Sequence, residues 1–378
     1  MSIDQQRICD PEQSAVIGLL KVAALEHPEL QIRQIDIAGE FDSESVVEVL
    51  LAETQEDVIA IHQGGFLVPR LHRFMPQPRQ FAFDARKSVL ITGGFGGLGL
   101  RLGEWLADNG CRHLVLAGRN TPPQAALDLA GRLHARGVTV RLEIADVSCR
   151  ESVAALIGRF RDDLPSLGSV FHLAGVLMDG TVTKLSASSW AAVWGPKAAG
   201  AWNLHHETKD LDLDHFVMFS SAGSMLGSAG QAAHASANAF LDGLARHRKA
   251  LGLSGLSINW GPWSDAGKAS TPGVLGRLEA QGIEGIKSQE ALNALGSLIT
   301  GGIANAGVFR FRLDQFAKLF PESLRSPFLD EIREPRVSGQ GALLEKIETL
   351  SSVERGAFIE KELMERVAEV LRIPPTSI

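Results

Sequence analysis

Hydrophobic and polar positions follow two different patterns along this chain, and the change falls near residue 87. The segment before it mixes helical spacing with short strand-like runs. Its predicted elements are a helix at 12–27, a strand at 32–38, a helix at 43–53 and two strands within 57–74. The proline-rich stretch at 75–80 predicts a linker that closes this first unit.

Beyond the linker, short apolar runs alternate with longer helical segments. The predicted strands lie at 88–92, 113–118, 139–145, 169–175, 215–221 and 256–260. This alternation predicts an α/β fold with a doubly wound, Rossmann-like parallel sheet. The uncharged run 291–309 contains four glycines and two asparagines, so it predicts a helix followed by a strand rather than a membrane span.

The composition argues against several classes of function. The formal net charge of −7 argues against a general binder of nucleic acid or of anionic membranes. The three cysteines are scattered outside any CxxC pattern and the N-terminus lacks a signal-peptide pattern, so we expect a cytoplasmic protein without a disulfide framework. Histidines and cysteines show no metal-ligand spacing, and no metal site is predicted. The sequence contains no tyrosine.

A glycine-rich loop joins the strand at 88–92 to the next helix and is the most specific local motif. Glycine lets the backbone adopt positive φ angles and approach a pyrophosphate closely. The following helix presents free N–H groups and a positive dipole end to phosphates. Because the strand before and the helix after are both present, the motif predicts a dinucleotide site. Its residues are Thr92, Gly93, Gly94, Phe95, Gly96, Gly97, Leu98 and Gly99.

The end of the second strand of this region indicates which dinucleotide binds. An acidic residue there would accept a hydrogen bond from a ribose hydroxyl and favour NAD, whereas this chain has Arg119. A cation suits a 2′-phosphate, so we expect NADPH; the alternative for Arg119 is a solvated surface charge. Asp146 and Val147 follow the third strand, where the aspartate is expected either to cap a helix or to face the adenine.

An ordered set of motifs resembles the short-chain dehydrogenase/reductase family and, more closely, ketoreductase domains of modular polyketide synthases. These motifs are "TGGFGGLG", "FHLAGVLMDG", "WGPKAAGAWNL", "VMFSSAGSMLGSAGQAAHASANAFLDGLA" and "INWGPW". The resemblance implies an incomplete structural subdomain at 1–80, a catalytic NADPH-binding subdomain at 81–332, and a linker with the start of an acyl carrier protein at 333–378. It also implies further cofactor contacts from Ala174 and Gly175.

The partners that the resemblance implies are an acyl carrier protein, which carries a phosphopantetheine-tethered β-ketoacyl chain, and other polyketide synthase domains. In that family a serine and a tyrosine bind the ketone oxygen, and a lysine and an asparagine support the tyrosine. Ser221, Lys197 and Asn238 occupy the matching positions, and His234 stands at the position of the tyrosine.

His234 changes the chemistry expected of this site. Hydride arriving at a carbonyl carbon leaves negative charge on the oxygen, which a positioned donor must stabilise and protonate. Imidazolium has a reference pKa of about 6.5, and partial burial beside Lys197 would lower it, leaving a neutral, weakly acidic N–H. We therefore expect ketone reduction to be weakened rather than abolished. The alternatives are a reduction-silent domain kept as a scaffold, an epimerase acting at the α-carbon, or a His234 that is only a buried helix residue.

Asp179 in "LMDG" matches the aspartate of a motif in B-type members of the family, which set one configuration of the β-hydroxyl. The resemblance therefore implies a B-type product. The position of the A-type tryptophan is Leu226, and the positions of the B-type proline and asparagine are Ala229 and Ala233. An aspartate directly before a glycine is also typical of a turn.

A lid over the active site is expected in the segment that begins with "GPWSDAGKAS". Lids of this kind close over bound substrate and swing on a few loop residues. Gly261 and Gly267 are the predicted hinges, and Pro262 is expected beside the substrate.

Overall fold

The computed structural model describes most of the chain in two compact units, Met1–Pro69 with Phe74–Phe328 and Arg70–Arg73 with Leu329–Ile378. The described residues are 9–38, 43–62, 65–75, 81–271, 273–320, 326–333, 350, 351, 355, 356, 358–360 and 364. The predicted linker, apart from Met75, and most of the predicted carrier-protein segment lie outside them. The two predicted boundaries, 80/81 and 332/333, therefore stay predictions.

Helices and strands alternate through the larger unit. The helices are α1 (Pro11–Glu26), α2 (Ser43–Leu51), α3 (Gly97–Asp108), α4 (Gln124–His134), α5 (Arg150–Asp162), α6 (Ala187–Trp194), α7 (Gly200–Thr208), α8 (Ala222–Leu226), α9 (Ala232–Ala250), α10 (Val274–Ala280), α11 (Ser288–Ile299) and α12 (Leu313–Leu319). The strands are β1 (Gln34–Ala38), β2 (Val58–His62), β3 (Gly65–Leu67), β4 (Ser88–Thr92), β5 (His113–Gly118), β6 (Thr139–Ile144), β7 (Leu167–His172), β8 (His215–Ser221), β9 (Leu256–Trp260), β10 (Ile283–Glu284), β11 (Asn305–Val308) and β12 (Arg310–Phe311).

A seven-stranded parallel sheet organises the described residues, in the order β11-β9-β8-β7-β4-β5-β6. The strand order reverses between β4 and β7, and ligands bind at such a switch point, beyond the carboxyl ends of the strands. Within β4, Val89 and Ile91 pack into the core on one face and Leu90 into the core on the other. Both faces are therefore covered, and the predicted doubly wound α/β fold is confirmed.

Strand β7 is shorter than the predicted strand at 169–175. It ends at His172, which pairs with Thr92, the last residue of β4. Beyond that pair the N–H of Leu173 still donates to the carbonyl oxygen of Thr92 at 3.0 Å, and the chain then leaves the sheet. Ala174 and Gly175 consequently lie on a loop at the switch point.

Helix α1 packs closely against α9, the helix that carries His234 and Asn238. A Cβ atom at Gly18 would lie 2.5 Å from the carbonyl oxygen of Ala235, so only glycine allows this approach. The hydroxyl of Ser236 on α9 donates to the carbonyl oxygen of Ala15 at 2.8 Å. The N-terminal segment is therefore part of the framework behind the candidate site.

A smaller three-stranded sheet follows α1, with β1 and β2 parallel and β3 antiparallel to β2. Helix α2 covers it through Val49, which packs with Ile59 and Ile61. Strands β10 and β12 form a separate antiparallel pair.

Across the residues that the structure describes, no helix has the length and apolar character needed to cross a bilayer, and no group of three His, Cys, Asp or Glu side chains is arranged to hold a metal.

Candidate active site

A cavity of about 490 Å³ opens beyond the carboxyl ends of β8 and β9. Lys197, Ser221 and His234 all line it, although they come from different parts of the chain. Asp179 and Pro262 line the same cavity, and Leu98 extends it to the glycine-rich loop. The structure thus brings three of the four predicted catalytic side chains to one opening.

Ser221 is the last residue of β8 and the N-cap of α8. Its Oγ atom accepts a hydrogen bond from the backbone N–H of Gly223 at 3.2 Å. Because this contact uses the oxygen as an acceptor, the hydroxyl proton stays available to donate into the cavity. The Ser221 hydroxyl can therefore donate to an oxygen that enters the cavity.

Lys197 lies in a π-helical turn, Gly195–Ala199, between α6 and α7, and such turns occur often at functional sites. The side chain is 6% exposed, and its Nζ atom donates to the carbonyl oxygen of Phe219 at 2.9 Å. Burial lowers the pKa of the ammonium to about 8, and the negative charge of Asp242 partly counteracts that shift. At neutral pH the lysine is therefore mainly charged.

Gly175 is required beside this lysine. A Cβ atom at position 175 would lie 2.8 Å from Cε of Lys197. The predicted cofactor residue Gly175 thus also provides the room in which the lysine stem runs.

His234 lies in the first turn of α9 and is partly exposed to the cavity. Its Nδ1 atom is buried and has no hydrogen-bond partner among the described residues. Burial, followed by the positive charges of Lys197 and Lys268, lowers the pKa of the imidazole to about 3. At neutral pH the side chain is therefore an uncharged imidazole.

Asn238 lies one turn after His234 and is fully buried. Its Nδ2 atom donates to the carbonyl oxygen of His234 at 2.7 Å, whereas its Oδ1 atom is buried without a partner in the described part of the chain. The asparagine thus braces the backbone at position 234, and it does so from outside the cavity lining.

Asp242, a further turn along α9, is the centre of a buried polar network that sequence reasoning missed. Its carboxylate accepts hydrogen bonds from Ser224 Oγ at 2.8 Å, Asn259 Nδ2 at 2.7 Å, Ser257 Oγ at 2.6 Å and Asn305 Nδ2 at 3.2 Å. Asn259 Nδ2 also donates to the carbonyl oxygen of Ser221 at 3.3 Å. Residues 234, 238 and 242 are spaced by four and share one helix face, and this spacing could have pointed to Asp242 from the sequence.

His172 was also missed, although it lies within the quoted motif "FHLAG". Its Nε2 atom faces the carbonyl oxygen of Lys197 at 2.8 Å and must therefore donate, which leaves Nδ1 to accept from Thr92 Oγ1 at 2.7 Å. Burial and the charge of Lys197 lower the pKa of His172 to about 3, so the ring is neutral. The side chain of Thr92, a predicted cofactor residue, consequently points into the protein.

The glycine-rich loop has the geometry that a dinucleotide requires. Gly93 has φ of +72°, and a Cβ atom there would lie 2.8 Å from the backbone nitrogen of Ala174. A Cβ atom at Gly99 would lie 2.7 Å from the carbonyl oxygen of Gly93. Helix α3 begins at Gly97 directly after this turn, so the free N–H groups of its first turn lie beside the glycine-rich loop.

Arg119 is exposed directly after β5. Asp146 closes a local turn, since its Oδ1 atom accepts from the N–H and hydroxyl of Ser148 at 3.0 and 2.6 Å. These hydrogen bonds, and the nearby charge of Arg119, lower the pKa of Asp146. Helix α5 begins at Arg150 with Cys149 as its N-cap, so the expected capping role of Asp146 is wrong, and its contact with an adenine stays a prediction. The side chain of Val147 is buried in the core.

The predicted stereocontrol residues are separated. Asp179 lines the cavity, and its Oδ1 atom accepts from Gln231 Nε2 at 3.0 Å. Leu226 is buried and lies outside the described lining of the cavity.

In the predicted lid, the N–H of Gly261 donates to the carbonyl oxygen of Val308 at 2.9 Å, so this end of the lid is anchored to the sheet.

Comparisons with known proteins cover both halves of the larger unit. A family model described as the KR domain matches residues 87–265. A second one, described as the Rossmann fold domain of the polyketide synthase extender module SpnB, matches residues 1–71.

Among relatives, polyketide synthase GfsA of Streptomyces halstedii is 39% identical over 331 residues, which cover 85% of this chain and 4% of that protein. Polyketide synthase GfsB of the same organism is 34% identical over 380 residues, which cover 96% of this chain and 7% of that protein. The chain thus spans a small part of these relatives. A solved structure of A-type ketoreductases from a modular polyketide synthase is 36% identical, with a TM-score of 0.81, over 86% of this chain and 70% of that one.

Proposed function

This chain belongs to the ketoreductase domains of modular polyketide synthases, and we propose that it reduces β-ketoacyl thioesters on an acyl carrier protein with NADPH, at a rate lowered by His234. The proposal rests on one observation. Lys197, Ser221 and His234 meet at a cavity that also reaches the glycine-rich loop. The family's members are NAD(P)H-dependent reductases, which supports the same class of chemistry for this chain.

The residues that would hold the cofactor fit a phosphorylated dinucleotide. The turn at Gly93–Gly99 leaves room for a pyrophosphate at the N-terminus of α3, and exposed Arg119 offers a cation to a 2′-phosphate. NADPH, when bound there, supplies the hydride that reduces the carbonyl carbon. Arg119 is the basis for preferring NADPH over NADH.

The protein side chains then act on the ketone oxygen. Ser221 donates a hydrogen bond to it, and the ammonium of Lys197 favours the negative charge that develops there. With a pKa of about 3, only about one His234 ring in ten thousand is protonated at pH 7. His234 can therefore orient the oxygen through a neutral N–H but seldom delivers a proton as an acid.

The configuration of the hydroxyl is proposed from Asp179. This residue lies in the cavity wall, where the B-type motif of the family has its aspartate. One similar solved structure is of A-type ketoreductases, so the assignment from Asp179 needs its own test. We propose the B-type product, and chiral analysis of the reduced thioester tests it.

A second candidate function is epimerisation at the α-carbon, and the neutral state of His234 favours it over reduction, because a neutral imidazole seldom supplies the proton that ketone reduction needs. Enolisation needs a base and no hydride. Deuterium loss from the α-position of a 2-methyl-3-ketoacyl carrier protein, without consumption of NADPH, is the result expected of an epimerase.

The test compares the parent chain with His234→Tyr from pH 5.5 to 8.5. NADPH oxidation is followed with a β-keto thioester, and NADPH binding is measured separately by fluorescence. We expect both proteins to bind NADPH and the tyrosine variant to turn over about 10²–10⁴ times faster. The matched control is His134→Tyr, which places a tyrosine at an exposed histidine at the end of α4.

Three results are decisive. Parent activity equal to that of His234→Tyr would refute the proposed weakening. Two silent proteins that still bind NADPH would refute reduction and leave the scaffold and epimerase functions. Failure of both proteins to bind NADPH would refute the cofactor assignment.

A further inference from the structure

Helix α1 ends in Glu26, whose carboxylate accepts hydrogen bonds from two separate loops. Oε1 accepts from the backbone N–H of Gly230, and Oε2 accepts from that of Val182, both at 2.7 Å. One loop follows β7 and carries Asp179, whereas the other precedes α9 and leads into His234. The Glu26 side chain therefore bridges two walls of the active-site cavity without lining it.

The two loops also contact each other at this point. The N–H of Gly180 donates to the carbonyl oxygen of Gly230 at 2.7 Å, and Gln231 donates to Asp179 at 3.0 Å. Gly230 has φ of +81°, a conformation that favours glycine. Its N–H donates to Glu26 and its carbonyl oxygen accepts from Gly180, so both of its peptide groups are held. Hydrogen bonds to a carboxylate are stronger than neutral ones, and Glu26 accepts two of them, whereas Asp179 accepts one from Gln231.

Helix α1 is a firm base for this bridge. At Gly18 the backbones of α1 and α9 lie so close that a larger residue of α1 could not take this position beside Ala235. One turn before Glu26, Lys21 donates through Nζ to the carbonyl oxygen of Met225 at 2.6 Å. The loop between α8 and α9 is thus attached to α1 near both ends, at Met225 and at Gly230.

We propose that Glu26 is a specificity-determining positioning residue, which holds the Asp179–Gln231 wall in place and so selects the orientation of the β-ketoacyl thioester. The proposal rests on the proposed function, because it concerns the substrate of that same cavity. Glu26 lies outside residues 87–265, the part matched by the ketoreductase model. An N-terminal helix therefore influences selectivity at a distance in sequence.

The first experiment measures hydrogen exchange of the two loops in the parent chain, Glu26→Ala and Glu26→Gln. We expect the amides of Val182 and Gly230 to exchange at least about tenfold faster in the alanine variant, because both lose their acceptor. The glutamine variant has one acceptor oxygen and should be intermediate. Glu12→Gln, an exposed glutamate on the same helix, is the matched control. Unchanged exchange in Glu26→Ala would overturn the bridge.

The second experiment measures selectivity without turnover. The dissociation constants of the two 3-hydroxyacyl thioester epimers are determined for the same variants in the presence of NADP⁺. In Glu26→Ala we expect the ratio of the two dissociation constants to fall about tenfold toward one. Glu26→Gln should restore part of the ratio, and the affinity for NADPH should be unchanged in both variants. A ratio equal to that of the parent, despite loosened loops, would overturn the role in selectivity.

A third measurement separates this proposal from the proposed function. In the His234→Tyr background, Glu26→Ala should raise KM and lower the diastereomer ratio of the product, with kcat within a few fold. Loss of reduction in every variant would refute the reductase function, whereas the exchange and epimer-binding results still decide the role of Glu26.

Discussion

The Nζ atom of Lys197 donates to the carbonyl oxygen of Phe219 at 2.9 Å, which ties the lysine to the strand that carries Ser221. His172 holds the other end of the same residue, because its Nε2 atom donates to the Lys197 carbonyl. The lysine is thus positioned through both backbone and side chain. Changes at its neighbours should therefore alter catalysis even where they leave the lysine in the sequence.

Gly175→Ala should disturb the lysine directly. The new Cβ would lie 2.8 Å from Lys197 Cε, so the stem must move. In the His234→Tyr background we expect kcat to fall at least about tenfold, since a small misplacement of a catalytic group has a large effect. Steady-state kinetics measure the change.

Gly158→Ala is the control for that substitution. It lies on α5 with nothing within 4 Å of its Cβ, and should raise the free energy of unfolding by up to about 1 kcal/mol without changing the rate. An unaltered kcat in Gly175→Ala would contradict the packing argument.

Arg119→Ala should reduce the preference for NADPH. A charge-assisted hydrogen bond contributes about 1.5–3 kcal/mol, so the Kd for NADPH should rise about 10–100-fold, while that for NADH stays nearly constant. Fluorescence titration with both nucleotides measures this. Arg141→Ala removes an exposed arginine of β6 and should change neither affinity. Equal losses for both nucleotides would speak against contact with a 2′-phosphate.

Asp242→Asn should affect both stability and the pH profile. The amide puts a donor where four donors converge, which should lower the free energy of unfolding by about 1–3 kcal/mol. Loss of the negative charge should also lower the pKa of Lys197 below about 8. In the His234→Tyr background, the alkaline limb of the rate profile should then move to lower pH.

Asp162→Asn, an exposed position at the end of α5, is the control for charge alone. It should alter neither the unfolding curve nor the alkaline limb. An alkaline limb that stays in place in Asp242→Asn, in a variant shown to be folded, would exclude the electrostatic effect on Lys197.

Stability should fall as the pH decreases below about 6.5. The pKa of fully buried His172 is lowered to about 3, so between these values the unfolded chain binds a proton that the folded chain does not. Folding stability therefore rises with pH in this window. For His172 alone the loss at pH 5, relative to pH 7, is about 2 kcal/mol.

Urea unfolding at pH 7 and pH 5 measures this loss. His172→Gln has no imidazole to protonate, so its stability should change less between the two pH values, although it is lower at pH 7. The exposed variant His134→Gln should keep the full dependence of the parent. An identical pH dependence in parent and His172→Gln would show that other groups are responsible.

Local patterns were enough to predict the fold of the larger unit. A strand followed by a glycine-rich turn and a helix is typical of a dinucleotide-binding unit. Six predicted strands separated by helical segments indicate a parallel sheet. The predicted strands of the sheet were found within a few residues of their predicted bounds. The family resemblance likewise implied that Lys197, Ser221 and His234 would share one site, and they line one cavity.

Other features depended on contacts between distant segments. Glu26 and Val182 lie far apart along the chain, and no local spacing relates a helix end to a loop after β7. The network of Asp242 forms only because the fold brings Ser224 of α8, Ser257 of β9 and Asn305 of β11 to α9. The inward orientation of Thr92 likewise required the position of His172.

Sequence periodicity therefore determined which elements form and which chemical groups reach the sheet edge, since those depend on neighbours a few residues away. The partners of each polar group and the support from α1 followed only from packing, whereas the neutral state of His234 was already predicted from its expected place beside Lys197. Burial and the distance to Lys197 decide that protonation state, and both arise from the assembled fold.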